Sequence, residues 1–155
     1  MKSESHKKIA VALSGGVDSA VAVLLLQEQG YEVVGVHIVC WKDDTRVVDE
    51  IGQARSVCTA TQDAQDARRV AGELGIPFYV IDGVEAYRTR VYERMMAEFA
   101  AGRTPNPDIW CNEEIKFGFL LDQIRAFGFD RMATGHYARI LEKSDQVPLG
   151  GGRGG

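Results

Sequence analysis

Residues 14–19, with the sequence SGGVDS, are the part of this chain best suited to chemistry. An apolar run from Ile9 ends at Ser14, two glycines follow, and a helical pattern opens with Asp18 and Ser19. Glycines let the backbone approach a phosphate closely, and the free amides of a first helical turn attract anions. The helix dipole adds to this attraction. The segment therefore predicts a phosphate-binding loop between a buried strand and a helix.

This loop has neither of two common nucleotide-binding spacings. No lysine follows Gly16, so GxxxxGK[ST] is absent, and GxGxxG is absent as well. The hexapeptide instead resembles the PP-loop of ATP pyrophosphatases, which cleave ATP between the α and β phosphates. A glycine turn in an unrelated α/β protein is the alternative reading.

A second motif, GRTPNPDIWCNEEIKF, occupies residues 102–117. Its prolines fix the backbone ahead of Asp108, which could act as an acid or a base. We predict a helix over 113–127, with Asn112 as its cap and Cys111 at or just before its start. A thiolate is stabilised at such a position, although Glu113 and Glu114 oppose that effect. A buried, inert cysteine remains the alternative.

Apolar segments alternate with helical patterns along most of the chain. The predicted strands are 8–13, 32–39, 77–81 and 131–133, and the predicted helices are 18–29, 63–74, 84–100 and 113–127. Residues 41–62 are polar and read as irregular, with room for a short helix. This order predicts an α/β fold, a doubly wound parallel sheet of the Rossmann-like PP-loop type in three α/β/α layers. Ligands of such sheets bind at the carboxyl ends of the strands.

The bulk composition is that of one ordinary globular domain. The chain has 155 residues, a formal net charge of −4 and three widely spaced cysteines, without a CxxC pair. We see no secretory signal and no apolar run long enough to span a membrane, and we expect a cytoplasmic protein. Residues 1–142 are predicted to be the catalytic domain and 143–155 a disordered glycine-rich tail.

Nearly the whole chain, from about residue 8 to residue 140, resembles the N-terminal catalytic domain of tRNA-specific 2-thiouridylases. The strings that carry the resemblance are SGGVDS, DARRVAGELGIPFYV at 66–80, the second motif and ATGHYAR at 133–139. The resemblance implies that ATP adenylates the C2 oxygen of a tRNA wobble uridine, and that sulfur from a persulfide then displaces AMP. It implies ATP and Mg²⁺ as cofactors, and tRNA and a sulfur-relay persulfide donor protein as partners of a monomer.

The resemblance also implies roles for individual residues. The catalytic residues would be Cys111, which attacks the persulfide to free sulfide and form a disulfide, and Asp108. The tRNA base would contact Asn106, Pro107 and Asp108. The ATP-binding residues would be Ala12, Leu13, Ser14, Gly15, Gly16, Val17, Asp18, Ser19, Ile38 and Gly135.

The resemblance fades after about residue 142. Family members continue with tRNA-binding and C-terminal domains, which we expect to be absent here, and with a second catalytic cysteine that carries the persulfide. Neither Cys40 nor Cys58 matches that cysteine. Thiolation by this chain is therefore expected to be incomplete. Another PP-loop adenylating ligase and an inactive ATP-binding fragment are the alternatives.

Several other side chains are open to two readings. His37 is predicted to pack in the core, whereas His136 either contacts nucleotide or supports its loop. Trp110 either stacks on a base or packs internally. Four phenylalanines are predicted to be core residues: Phe117, Phe119, Phe127 and Phe129.

Overall fold

The computed structural model describes residues 8–42, 46–48, 54–56 and 60–137. Its strands are β1 (Lys8–Ala12), β2 (Glu32–Val39), β3 (Arg46–Val48), β4 (Ala54–Ser56), β5 (Phe78–Asp82) and β6 (Met132–Thr134). Four of them form one parallel sheet in the order β5-β2-β1-β6. The chain order reverses between β1 and β6, and ligands of such sheets bind at this kind of switch point.

Helices occupy the segments between the strands. They are α1 (Val17–Glu28), α2 (Ala60–Glu73), α3 (Val84–Tyr87), α4 (Glu93–Ala100), α5 (Pro107–Trp110) and α6 (Leu121–Ala126). A π-helical segment, Arg88–Tyr92, joins α3 to α4, and a longer one, Cys111–Leu120, joins α5 to α6. π-Helical turns are rare in proteins as a whole, and those that do occur are frequently found at functional sites.

The two faces of the sheet bury different apolar clusters, because successive side chains of a strand point to opposite sides. On one face, Ile9 and Val11 of β1 pack with residues of α1 and α2, including Val23 and Ala67. On the other face, Ala10 packs with β2 and β5 residues and with Leu120 and Ile124. This arrangement confirms the predicted three-layer α/β fold.

Two parts of the predicted secondary structure are wrong. Residues 41–62 were read as irregular, but β3 and β4 pair antiparallel within them and α2 already begins at Ala60. The last long helix begins at Pro107 rather than at residue 113.

Local backbone chemistry explains the earlier helix start. Proline is well suited to the first helical position, since its fixed φ fits a helix and its missing N–H has no partner there. Asn106 precedes Pro107 in an extended conformation and its side chain accepts a hydrogen bond from the Asp108 amide at 3.1 Å. Asn106 is therefore the cap, whereas the predicted cap Asn112 lies inside the π segment with its buried Oδ1 unpartnered.

Some of the predictions fall on residues outside the described part of the chain. Cys58 and the glycine-rich segment 143–155 are among these residues. In the described part, no helix combines the length and the apolar character needed to cross a membrane.

Candidate active site at the carboxyl edge of the sheet

A cavity of about 370 Å³ opens at the carboxyl ends of β1, β2 and β6. Its volume is in the range of small-molecule sites. Seven of the predicted ATP-binding residues line it: Ala12, Leu13, Ser14, Asp18, Ser19, Ile38 and Gly135. The other lining residues are Val36, His37, Cys40, Lys116, Leu120, Thr134 and His136. Gly15 and Gly16 of the same loop, and Val17 at the start of α1, do not line the cavity.

Hydrogen bonds within the loop after β1 hold it against the start of α1. The buried Ser19 hydroxyl donates to the Gly16 carbonyl at 3.1 Å and accepts from the Ser14 amide at 3.3 Å. The Gly16 amide donates to the Ser14 hydroxyl at 3.3 Å. Ser19 thus braces both ends of the loop, in addition to lining the cavity.

The two loop glycines serve different purposes. Gly15 has φ +86°, and a Cβ there would come within 3.0 Å of the Asp66 Cβ, so the position requires glycine for conformation and for contact with α2. Gly16 is the N-cap of α1 with an ordinary φ of −86°, and a Cβ there would meet only Ser14 Oγ, at 3.4 Å. The space beside Gly16 is open, as a phosphate site needs.

The end of β6 closes over the start of α1. A Cβ on Gly135 would lie 2.7 Å from the Ser19 amide nitrogen, so only glycine allows this close approach. The Tyr137 hydroxyl donates to Asp18 Oδ1 at 2.7 Å, and this bond raises the pKa of Tyr137. The His136 ring packs on Phe117 at 5.5 Å and bonds the Thr134 hydroxyl at 2.9 Å. His136 therefore both supports its loop and lines the cavity.

His37 packs in the core as predicted. It is buried, and its Nδ1 donates to the Leu13 carbonyl at 2.8 Å, which ties the end of β1 to β2. Of the four phenylalanines, Phe119 and Phe129 pack against the second apolar cluster. Phe117 and Phe127 are exposed, so the prediction that they are core residues is wrong.

Cys111 and Cys40 meet beside this cavity. Cys40 follows β2 and lines the cavity, and its thiol interacts with the thiol of Cys111 in the π segment. The interaction with Cys40 and the Lys116 charge together lower the pKa of Cys111 to about 7, against the opposing effects of burial and of the Asp108 charge. The same contact, with burial, raises the pKa of Cys40. Cys111 is thus the member of the pair that ionises more readily near neutral pH.

The predicted cause of Cys111 reactivity, a position at or just before the start of a helix, is therefore wrong. The residue lies beyond the first turn of the helix, where the dipole has largely faded. Its thiolate is stabilised by Cys40 and Lys116 instead, and Asp108 is the acidic residue that opposes it most.

The predicted base-contacting residues lie apart from the cavity lining. Asn106 and Asp108 are exposed at the start of α5, and Pro107 is half-buried between them. The Arg94 guanidinium covers one face of the Trp110 ring at 4.2 Å. A base could therefore stack only on the other face of this ring.

Among the polar residues of the site, the sequence analysis gave no individual role to Lys116 or Tyr137. Lys116 belongs to the second motif, and its spacing of five residues from Cys111 was the available signal. Tyr137 belongs to the ATGHYAR string. Cys40 was predicted at a strand end near the ATP side, and it lines the cavity there, but nothing in the sequence places it beside Cys111.

Comparisons with known proteins identify the family. Residues 7–152 match the family described as "tRNA methyl transferase HUP domain". The chain is 47% identical over 146 residues to a tRNA-specific 2-thiouridylase MnmA from Coxiella burnetii, covering 94% of this chain and 38% of that protein. It is 49% identical over 145 residues to the MnmA of Streptococcus mutans, covering 94% of this chain and 37% of that protein.

The fold also has a counterpart among solved structures. A protein described as "predicted subunit of tRNA methyltransferase" from Methanocaldococcus jannaschii matches with a TM-score of 0.51 and 18% identity, over 88% of this chain and 58% of that one. This likeness supports the fold alone. The chain therefore belongs to the family of the tRNA methyl transferase HUP domain, and its resemblance to tRNA-specific 2-thiouridylases is confirmed.

Proposed function

We propose that this chain is the ATP-binding, sulfur-handling part of a cytoplasmic tRNA-uridine 2-sulfurtransferase. The chain spans about two fifths of the length of the named 2-thiouridylases. One observation carries the proposal: the cavity lined by the SGGVDS loop also reaches Cys40, whose thiol interacts with the Cys111 thiol. The residues proposed to bind ATP and those proposed to handle sulfur therefore lie next to each other.

The reaction needs both parts because uridine's C2 oxygen is a poor leaving group. Transfer of AMP from ATP to that oxygen makes it a good one, and sulfide can then displace AMP at C2. The base must be taken out of its stack to be reached, as for other base-modifying enzymes. The exposed start of α5, with Asn106, Pro107 and Asp108, is the segment we assign to the base, and Asp108 to proton transfer.

The loop residues would hold the triphosphate of ATP. The amides at the start of α1 are free of any N-cap side chain, and Gly16 leaves the space beside them open. Asp18 is the acidic residue in the cavity lining and would hold Mg²⁺, which neutralises phosphate charge when bound. No group of three metal-binding side chains forms within the described residues. The phosphates would therefore supply most ligands of the ion.

Product analysis tests this proposal. The chain is incubated with ATP and an unmodified anticodon stem-loop, and the nucleotides are separated by anion exchange. We expect AMP and pyrophosphate, in amounts that depend on a wobble uridine; the matched control is the same stem-loop with a wobble cytidine. ADP as the main product would overturn the PP-loop assignment. If AMP forms equally with and without the stem-loop, the result would favour another adenylating ligase.

A further inference from the structure

Lys116 supplies the permanent positive charge in the lining of the nucleotide cavity. Among the described residues that line it there is no arginine and no other lysine. The SGGVDS loop brings no lysine of its own, since none follows Gly16 in the helix that it opens. A nucleotide in this cavity carries several negative charges, and Asp18 of the lining adds one more. Lys116 is therefore the side chain in the lining that can balance phosphate charge directly.

The fold holds Lys116 across the cavity from the SGGVDS loop. Its two anchors in the π segment are Ile115 and Leu120, which are fully buried. Leu120 packs in the cluster on one face of the sheet, whereas Val23 of α1 packs in the cluster on the other face. The start of α1 and Lys116 thus reach the cavity at the sheet edge from opposite faces. A phosphate chain in the cavity would lie between them.

Lys116 also differs from the other lysines of the described residues in its pairing. Lys8 pairs with Glu32, and Lys42 pairs with Asp82. Within the described part of the chain, no carboxylate forms such a pair with Lys116, although this side chain is half-buried. Withdrawing a charge from water is costly unless a partner of opposite charge compensates. An anion in the cavity would be that partner.

The position of Lys116 also indicates which phosphate it would meet. In the reaction proposed above, the α-phosphate is joined to the base and is later displaced by sulfur, so it must lie on the side of the cavity where the thiols are. Cys40 lines the same cavity, and the Lys116 charge acts on the thiols of both Cys40 and Cys111. The free amides at the start of α1 remain for the other two phosphates.

We propose that Lys116 binds the α-phosphate of the nucleotide, from the side of the cavity opposite the SGGVDS loop. This inference rests on the ATP-binding function proposed above and adds a residue to its site. Lys116 would act twice. It would hold the α-phosphate while pyrophosphate leaves. When sulfur bonds to C2 and the C2–O bond breaks, AMP takes the electron pair and gains a negative charge, which the adjacent ammonium group would stabilise.

Isothermal titration with AMP, pyrophosphate and α,β-methylene-ATP tests the assignment. Lys116→Met removes the charge and keeps a side chain of similar length. We expect it to weaken the binding of AMP and of the ATP analogue roughly 10- to 100-fold, the effect of one hydrogen bond between charged groups. Pyrophosphate affinity should not change. Lys116→Arg, which keeps the charge, should bind AMP more tightly than Lys116→Met. Lys8→Met is the matched control and should bind all three ligands as the unmodified chain does.

Chemical labelling of the unmodified chain gives a second measurement that needs no variant. The chain is treated with the N-hydroxysuccinimide ester of acetic acid, with and without AMP, and acetylated lysines are located by peptide mass spectrometry. We expect AMP to protect Lys116 from acetylation. Lys8 is the internal control and should be acetylated equally in both samples.

Three results would overturn this inference. They are unchanged AMP affinity in Lys116→Met, equal weakening of AMP and pyrophosphate, and acetylation of Lys116 that AMP does not reduce. The first would mean that Lys116 serves the thiols alone, and the second would place it at the other phosphates. In all three cases binding of ATP by the unmodified chain would leave the proposed function standing. An unmodified chain that binds none of the three ligands would instead refute the proposed ATP site, and this inference with it.

Discussion

At the scale of the residue, a substitution at Gly16 should affect ATP binding without affecting the fold. Its φ of −86° suits any amino acid, and a Cβ would meet only Ser14 Oγ. We therefore expect Gly16→Val to fold normally but to lose ATP binding, because its side chain would occupy the space for a phosphate. Gly72→Val is the matched control, since it adds the same side chain in α2 where nothing lies within 4 Å.

Isothermal titration with a non-hydrolysable ATP analogue measures the loss, and circular dichroism checks the fold. We expect an affinity at least about 100-fold weaker for Gly16→Val, the size of a lost anion site worth a few charge-assisted hydrogen bonds. Unchanged affinity in this variant would remove the loop from the nucleotide site.

The Cys111 thiol should also show its environment in a pH profile. Because its pKa is lowered to about 7, its alkylation by iodoacetamide should reach half its maximal rate near pH 7. A positive charge stabilises a thiolate, so Lys116→Met should raise the pKa of Cys111 and move the midpoint to higher pH. Lys8→Met is the control, because Lys8 pairs with Glu32 at the opposite edge of the sheet. Equal midpoints in all three proteins would contradict the stated cause.

Single residues also show which features of the site could be predicted from the sequence alone. The SGGVDS motif predicted a strand, a glycine turn and a helix start, which are local features, and Ser14, Asp18 and Ser19 of this motif line the cavity. The contact between Cys40 and Cys111 could not be predicted in this way. It depends on β2 lying inside the sheet and on the π segment packing across it, which are long-range outcomes.

At the scale of the element, the start of α5 decides where Asp108 and Cys111 lie. Asn106 caps this helix through its side-chain oxygen. Replacing it by alanine should destabilise the chain by about 1 kcal/mol, whereas Asn106→Asp retains an acceptor oxygen and should cost little. Urea unfolding followed by fluorescence measures both changes. Equal stability of the alanine and aspartate variants would mean that the helix begins elsewhere.

Helix boundaries were the least predictable feature for a physical reason. Pro105 and Pro107 were both read as breaks, although a proline at the first helical position favours a helix. Strands were more predictable, because β2 is a continuous apolar run and its bounds agree with the prediction. The strands β3 and β4 have three residues each, too few for a periodic pattern to appear.

At the scale of the whole molecule, the net charge of the chain affects how strongly it can bind tRNA. The chain has 18 basic and 22 acidic residues, and several surface arginines are already engaged. Arg69 pairs with Asp66 at 3.2 Å, Arg88 pairs with Glu85 at 2.7 Å, and Arg94 stacks on Trp110. Phosphate contacts from lysine and arginine supply most nucleic-acid affinity, so this surface offers few of them.

We therefore expect this chain by itself to bind unmodified tRNA weakly, with a Kd weaker than about 1 μM at moderate salt, the range of non-specific binding. A gel shift at two salt concentrations measures the affinity and its salt dependence. The whole Coxiella burnetii 2-thiouridylase, of which this chain matches 38%, is the comparison protein and should bind more tightly. Equally tight binding by both proteins would contradict the argument from charge, and would place the tRNA-binding surface within the residues of this chain.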